Sequence, residues 1–414
     1  MKVASGTPLH VSLHWDTDEI QPVGRLAYRD HIAYLEFDPA FLKAGLDLSP
    51  VHHKSIAGLQ RPYDTDVFEG LHGIFNDSLP DGWGRLLVDR RARQLGIEPS
   101  TLTPLDRLAC VGSNGIGALC YAPTTEIWEM GADDLDLDQL DADAKRVLEG
   151  DISEVLLALG QVGGSPGGAR PKALIALNED GHAVHGTDEV SEGYEHYLVK
   201  FPGVDDPSDI AAIEMAYADM AKEAGVIMPE TKLLEGGEGK SYFATHRFDR
   251  QGTQRLHVQS ASGLLYTDIR IPALDYVDLI MLTRNITRDQ RECKTMFTLA
   301  VFNVLAHNRD DHARQFSFLM EHNGTWHMAP AYDLTWSFGP GGEHSSSVLG
   351  HGTNITRDHL IELGKKADMK KPEIINVLER AQEAISKWEI FANSHGTSRQ
   401  STKLIAAALA NVRL

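Results

Sequence analysis

Asp310, in HNRDDHARQ, and Asp333, at the end of APAYDL, are the residues whose types and spacing point first to chemistry. Asp310 follows a long helical pattern and precedes the apolar run FSFL, so it falls on a loop held between regular elements. The stretch FSFLMEHNGTWHMAPAYDL reads as a hairpin turning at Asn323-Gly324, since Asn-Gly suits the left-handed backbone of tight hairpins. Such a hairpin can bring Asp333 back to the cleft edge that carries Asp310. Two carboxylates beside a phosphate-binding cleft are what phosphoryl transfer needs: one accepts or orients a hydroxyl proton, and the other holds Mg²⁺ against phosphate oxygens. The Asp-x-x-x-x-Asn spacing of the protein-kinase catalytic loop recurs here from Asp310 to Gln315, whose amide offers the same carbonyl ligand on a longer arm. On spacing alone, loop aspartates that cap nearby amides remain the simpler account.

Three further segments could serve the same chemistry. Lys200 lies in the apolar run HYLVKFP, where a lysine costs desolvation unless an anion pairs with it. A kinase strand lysine binds the α- and β-phosphates and pairs with a helix glutamate, and Glu214 in the next helical pattern is the candidate. A solvent-facing lysine on an alternating strand fits the pattern equally well. The segment GGSPGGARPKA supplies Gly163, Gly164, Gly167 and Gly168, which let backbone amides approach an anion, with Ala169, Arg170 and Lys172 after them. It lacks the GK[ST] of a Walker A loop, and a flexible turn is the alternative. Ser165 stands in that loop, open to modification. In THRFDR, the backbone of His246 and Phe248 could pair with an adenine edge at an interlobe hinge, although a strand end with a surface Arg–Asp pair also accounts for it. A competing reading makes His307, Asp310, Asp311 and His312 metal ligands of a phosphohydrolase, completed by His52, His53 or His327. A serine hydrolase is disfavoured, since no G-x-S-x-G elbow is present.

The elements that must position these residues follow from periodicity. Residues 9–37 alternate as antiparallel strands. Trp83–Leu95 reads as a helix closed by Gly96, and LACVGSNGIGALCY as a glycine turn between apolar segments. ALIAL and EHYLVKFPG read as strands, and KLLEGGEGKSYFATHRFDR as a hairpin. A helix is expected over 209–224, capped by Ser208, with Ile210, Ile213, Tyr217, Met220 and Ala224 on one face and Gly225 as its stop. Beyond residue 254 the pattern is mostly helical, with a long helix over 289–306 and C-terminal helices near 356–365, 371–391 and 400–412.

Size and charge bound the answer. A chain of 414 residues exceeds the length of about 250–300 residues at which single cores stop growing. We expect a β-rich region over 1–125, a small lobe with the glycine-rich loop over 126–252, and a helical lobe with the catalytic loop over 253–414. Fifty-nine Asp and Glu against 39 Lys and Arg give a net charge of −20, which argues against general nucleic-acid binding. Cys110, Cys120 and Cys293 form no CxxC pair. With neither an N-terminal apolar stretch of the signal-peptide kind nor a membrane-length apolar run, the expected location is cytoplasmic.

Taken in order, the motifs resemble the HipA family, the kinase toxins of bacterial type II toxin–antitoxin modules. FNDSLPDG looks like the family's FxNLLPDG signature, LACVGSNGIGAL like its GxxxxGAL segment, and SPGGARPKA like its S-x-x-GAQ-x-K loop; YLVKFP, RFDR, DDHARQFS and APAYDL follow in family order. The resemblance implies an α+β, two-lobed, PI3/4-kinase-like fold with a β-rich N-terminal region and an all-helical C-terminal lobe. It implies ATP and Mg²⁺ as cofactors, Asp310 as catalytic base, and Asp333 with Gln315 as metal ligands. Lys200, supported by Glu214, would contact ATP phosphates, near Lys172 and the 163–169 loop, with His246 and Phe248 flanking the adenine. Ser165 matches the family's autophosphorylated serine, whose modification inactivates the kinase. A small helix-turn-helix antitoxin, HipB, would bind the chain and supply most of the contact with operator DNA. The protein substrate would be of the aminoacyl-tRNA synthetase kind. Four positions depart from the family: Gln315 replaces Asn, Arg170-Pro171 replaces Gln-Glu, and Asp311 replaces a glycine beside the base. The alternatives are a weak kinase or pseudokinase, and a small-molecule phosphotransferase.

Overall fold

Alternation of apolar and polar residues buries one face of a strand and leaves the other to water, and this builds the first sheet. A computed structural model of the chain describes residues 2, 7–52, 54–80, 82–125, 134–150, 159, 170–186 and 190–410. Strands β1 (Leu9–His14), β2 (Ile20–Arg29), β3 (Ile32–Phe37), β4 (Leu59–Gln60) and β5 (Leu119–Ala122) form an antiparallel sheet in the order β4-β3-β2-β1-β5. Leu9, Val11, Leu13, Leu26, Leu35 and Phe37 line its buried face. Between β4 and β5 lie the helices Gly82–Gln94 and Pro104–Val111; Thr103 and Asp106 cap the second reciprocally.

The second sheet has the order β7-β6-β8-β10-β9, from β6 (Lys172–Leu177), β7 (Ala183–His185), β8 (Glu195–Lys200), β9 (Thr231–Glu235) and β10 (Ser241–His246). Its register sets Lys172 directly opposite Lys200. Like charges opposite one another destabilise a sheet, so this edge calls for an anion. The helix Ile210–Ala224 crosses toward the C-terminal helices, with the expected apolar face buried and Gly225 in the left-handed conformation at its end. Its N-cap is Asp209, not Ser208, and no side chain caps it there. The Asp209 carboxylate is turned away, accepting from Ser398 N–H (2.7 Å) and Ser401 Oγ (3.0 Å).

A short hairpin, β11 (Arg250–Gln251) and β12 (Gln254–Arg255), leads out of this sheet. The rest is helical except around a three-stranded sheet, β13-β15-β16, in which the expected hairpin gains one more strand. Here β13 is His257–Ser260, β14 (Leu274–Asp275) follows it, and β15 (Ser317–Met320) and β16 (Trp326–Met328) flank the Asn323-Gly324 turn. β14 pairs in parallel with β17 (Ser346–Ser347). The helix Gln290–Leu305 buries its predicted face and carries the chain to the 307–315 loop. The single helix expected over 371–391 is broken at Lys387 into Lys371–Ser386 and Trp388–Ser394. The break turns Trp388 inward, where it packs edge-on against Tyr217 and donates its indole N–H to Thr402 O. One continuous core joins the first sheet to the C-terminal helices, and a second lies under β6–β10. Among the described residues no helix is long and apolar enough to cross a membrane.

Candidate active site

Lys200, at the end of β8, answers the charge conflict set by the sheet register. Its ammonium pairs with Glu214 Oε2 at 2.9 Å and donates to Asp333 Oδ1. Burial alone would lower the Lys200 pKa, but Asp333 and Glu214 outweigh it and hold the group up at about 12. Burial would likewise raise Asp333; Lys200 and Lys172 outweigh it and keep the carboxyl far below the usual carboxylate range. Asp333 has φ +56, a left-handed backbone uncommon for residues other than glycine and concentrated at functional sites. Gln315 donates its Nε2 to Asp333 Oδ2 at 2.9 Å, which turns its Oε1 away from that contact. Arg170 adds a second cation to Glu214 (2.9 Å) and also binds Asp206 (2.8 Å).

These groups line one cavity. Lys172, Lys200, Glu214, Gln315 and Asp333 form its polar wall; Leu198, Met228, Phe243, Val258, Ile116 and Phe248 form an apolar one, with His246 at the strand end. Asp310 is not among the lining residues. It stands just outside, 60% exposed, with His312 Nε2 at 3.9 Å. Protein crowding withholds water and raises its carboxyl; His312 opposes this, and the Asp333 and Asp311 charges reinforce it.

Asp311, which adds charge beside Asp310, is also a buried structural anchor. It accepts from Tyr276 OH (2.7 Å), from Ser345 N–H (2.8 Å) and from Ser346 N–H (3.2 Å), and pairs with His344 at 3.0 Å. The phosphohydrolase alternative finds no such cluster: among the described residues no three His, Cys, Asp or Glu side chains are arranged to hold a metal, and His53 lies outside them. His312 Nδ1 accepts from Arg314 N–H, and burial lowers His307 to about 4.

The Arg–Asp pair of RFDR is not on the surface. Arg247, Asp249 and Arg250 are buried and hold the 113–117 loop of the first region. That contact brings Ile116 into the cavity. Asp77, from FNDSLPDG, reaches it as well. Neither had a signal in spacing; both depend on contacts between distant segments. The segment Gly164, Ser165, Gly167, Gly168 and Ala169 lies outside the described residues.

The donor set suits a hard divalent cation. One carboxylate and one amide oxygen are a fitting protein share for Mg²⁺, which keeps waters and takes phosphate oxygens for the rest. The Lys200 ammonium now sits on the Asp333 carboxylate, supplying positive charge where a cation would.

An α+β, two-lobed, kinase-like architecture with a charged cleft defines the class of this protein. The model of the HipA-like C-terminal domain matches residues 164–388, and that of the HipA N-terminal domain matches residues 17–122. The chain belongs to the HipA family. A Haemophilus influenzae protein named a kinase by inference is 25% identical over 272 residues, 55% of this chain and 76% of that protein. A chain of the complex of HipA, HipB and operator DNA from the Shewanella oneidensis MR-1 toxin–antitoxin system superposes with a TM-score of 0.65 at 14% identity, over 96% of this chain and 94% of that one; this likeness shows the fold. The Helicobacter pylori proinflammatory kinase CtkA matches 58% of this chain and 95% of its own at 15% identity, with a TM-score of 0.34, too loose a fit to argue from.

Proposed function

We propose that this chain is a HipA-type toxin acting as an ATP- and Mg²⁺-dependent serine/threonine protein kinase. The observation that carries the reading is the joining of Lys200, Glu214, Gln315 and Asp333 in one cavity with Asp310 just outside it. The apolar wall takes the adenine, whose edge meets the backbone of His246 and Phe248. Lys200 moves from Asp333 to the phosphates when nucleotide enters, still tethered to Glu214, and Lys172 faces the same charge. The freed Asp333 carboxylate and Gln315 Oε1 hold Mg²⁺, which supplies charge neutralisation of the transferring phosphoryl group. Asp310 accepts the proton of the attacking hydroxyl; its exposure lets a protein side chain reach it, and its raised pKa makes it a better base.

Residues 1–125, 126–252 and 253–414 serve as N-terminal region, small lobe and helical lobe. Gly164, Ser165, Gly167, Gly168 and Ala169 cover the phosphates, and phosphorylation of Ser165 limits the enzyme's own activity. A HipB-like antitoxin neutralises the chain in the cytoplasm and supplies contact with operator DNA, consistent with the net charge of −20. The acceptor is a translation protein such as an aminoacyl-tRNA synthetase. The test is incubation with Mg-ATP followed by mass spectrometry. Phosphate on Ser165 in the wild type and none in Asp310→Ala is expected; ATP binding without phosphate on any residue identifies a pseudokinase, and absence of both removes the kinase reading.

A further inference from the structure

The FNDSLPDG motif has no part in the chemistry above, yet its Asp77 reaches the cavity wall beside the catalytic loop. Both carboxylate oxygens are engaged by the other half of the chain: Oδ2 accepts from Ser260 N–H (2.6 Å) and Gln259 Nε2 (3.3 Å), and Oδ1 from Ser260 Oγ (2.7 Å). Gln259 also donates to Ile74 O at 2.8 Å. The two segments meet backbone to backbone, since a Cβ on Gly73 would fall 2.0 Å from Gly263 O. Asp77 is thereby fixed as part of a rigid seam.

Arg314 leans on that seam. Its Nη2 donates to Asn76 O at 3.1 Å, its Nε lies 3.9 Å from Asp77 Oδ1, and its own carbonyl accepts from Tyr332 OH. Arg314 and Asp77 are both largely buried, at 14% and 13% exposure, so their attraction is little screened. Gln315 is the next residue. Its side chain has one rotatable bond more than the asparagine it replaces, and that freedom must be lost to hold an oxygen in place. Asp333 fixes the amide at one end, through Nε2; Arg314 fixes the backbone at the other.

We propose that Asp77, acting through Arg314, is a positioning residue that sets Gln315 as an oxygen ligand for the divalent cation. The N-terminal region is then a working part of the cleft rather than only a surface for partners. This rests on the kinase reading of the same site.

The test uses the full chain and a fluorescent ATP analogue, titrated with and without Mg²⁺, alongside autophosphorylation kinetics. Asp77→Asn and Arg314→Gln each raise the Mg²⁺ needed for half-maximal nucleotide binding by about tenfold, in line with the loss of an outer support of a metal ligand. Metal-free binding stays unchanged, kcat falls more than KM for ATP rises, and Arg314→Lys recovers part of the loss. An unaltered Mg²⁺ requirement in a folded variant overturns the proposal. Equal loss of metal-free and Mg²⁺-dependent binding also overturns it, by reducing the seam to a structural contact. If Asp77→Asn does not fold, the Arg314 pair decides. Wild type that binds no nucleotide sinks the kinase reading, and this inference with it; wild type and variants that bind with the same Mg²⁺ requirement sink this inference alone.

Discussion

Two buried ion clusters lie on either side of His246, and only one has the makings of an active site. In the hinge, Asp249 binds Arg247 at 2.8 Å and Arg250 at 2.7 Å, with all three side chains at most 4% exposed. Further donors go to backbone: Arg247 and Arg250 to Gly115 O, Arg250 to Gly117 O, and the nearby Arg255 to Ser113 O. Gly117 N–H completes the set on Asp249 at 2.8 Å. In the cleft, Lys200, Glu214, Asp333 and Gln315 are tied together as tightly; Arg247 and Asp249 reach the same cavity, but only the cleft has an exposed carboxyl, Asp310, beside its cluster. Shifted titration marks both clusters. Asp249, like Asp333, is held far below the ordinary carboxylate range, its arginines outweighing burial; Arg250 is lowered to about 10 by burial and then by Arg247. Perturbed ionisation therefore does not distinguish function from structure here. What distinguishes the cleft is the accessible carboxyl beside it, Asp310, for which the hinge has no counterpart.

If that distinction is right, the two clusters fail differently. Asp310→Asn lowers phosphotransfer by about 10²–10⁴-fold, the usual worth of a positioned base, with nucleotide binding and unfolding midpoint unchanged. Equal transfer rates for wild type and variant would show that Asp310 is not the base. Asp249→Ala leaves buried guanidiniums without their carboxylate and costs about 3–5 kcal/mol of stability, read as a lower urea midpoint. A midpoint matching wild type would break the comparison from the other side. Gly117→Ala is milder. Gly117 has φ +79, and an added Cβ would meet Val258 N at 3.0 Å; a left-handed alanine costs about 1–2 kcal/mol. The loop should loosen from Asp249, and a thermal midpoint no lower than wild type would show that the grip on Gly117 is not needed.

How much of this was legible beforehand depended on the range of the contact. The antiparallel strands of residues 9–37, the buried face of Ile210–Ala224 and the hairpin at Asn323-Gly324 follow from local periodicity, and the structure has all three. Lys200 was ambiguous, because alternation alone does not say which face an end-of-strand lysine takes; its register against Lys172 resolves that, and strand register is set by tertiary pairing. Asp77 and Arg247 were illegible as support. Each acts on a segment more than a hundred positions away, Asp77 on Ser260 and Arg247 on Gly115. The anchoring role of Asp311 was illegible because its partners Tyr276 and His344 come from separate elements.

The finest discrimination between the clusters comes from pH. Asp249 and Asp333 have folded pKa values depressed below that of an ordinary, solvated aspartate. The stability they contribute is fully present above that value and is lost as pH falls below it, toward their folded values. Asp310 is shifted the other way. Its carboxylate form, needed to accept a proton, is lost as pH falls through a value above the ordinary aspartate one, before Asp249 and Asp333 take up protons. Any stability linked to Asp310 has the opposite sign, present at low pH and lost as pH rises through its folded pKa. The acid limb of phosphotransfer should therefore lie at higher pH than the acid limb of unfolding. Parallel activity and circular-dichroism titrations read the order of the two limbs. In Asp310→Glu, whose carboxylate sits on a longer arm, the activity limb moves and the unfolding limb stays in place. Limbs that coincide in wild type would mean that activity is lost only because the protein unfolds, and the contrast between the two clusters would lose its titration evidence.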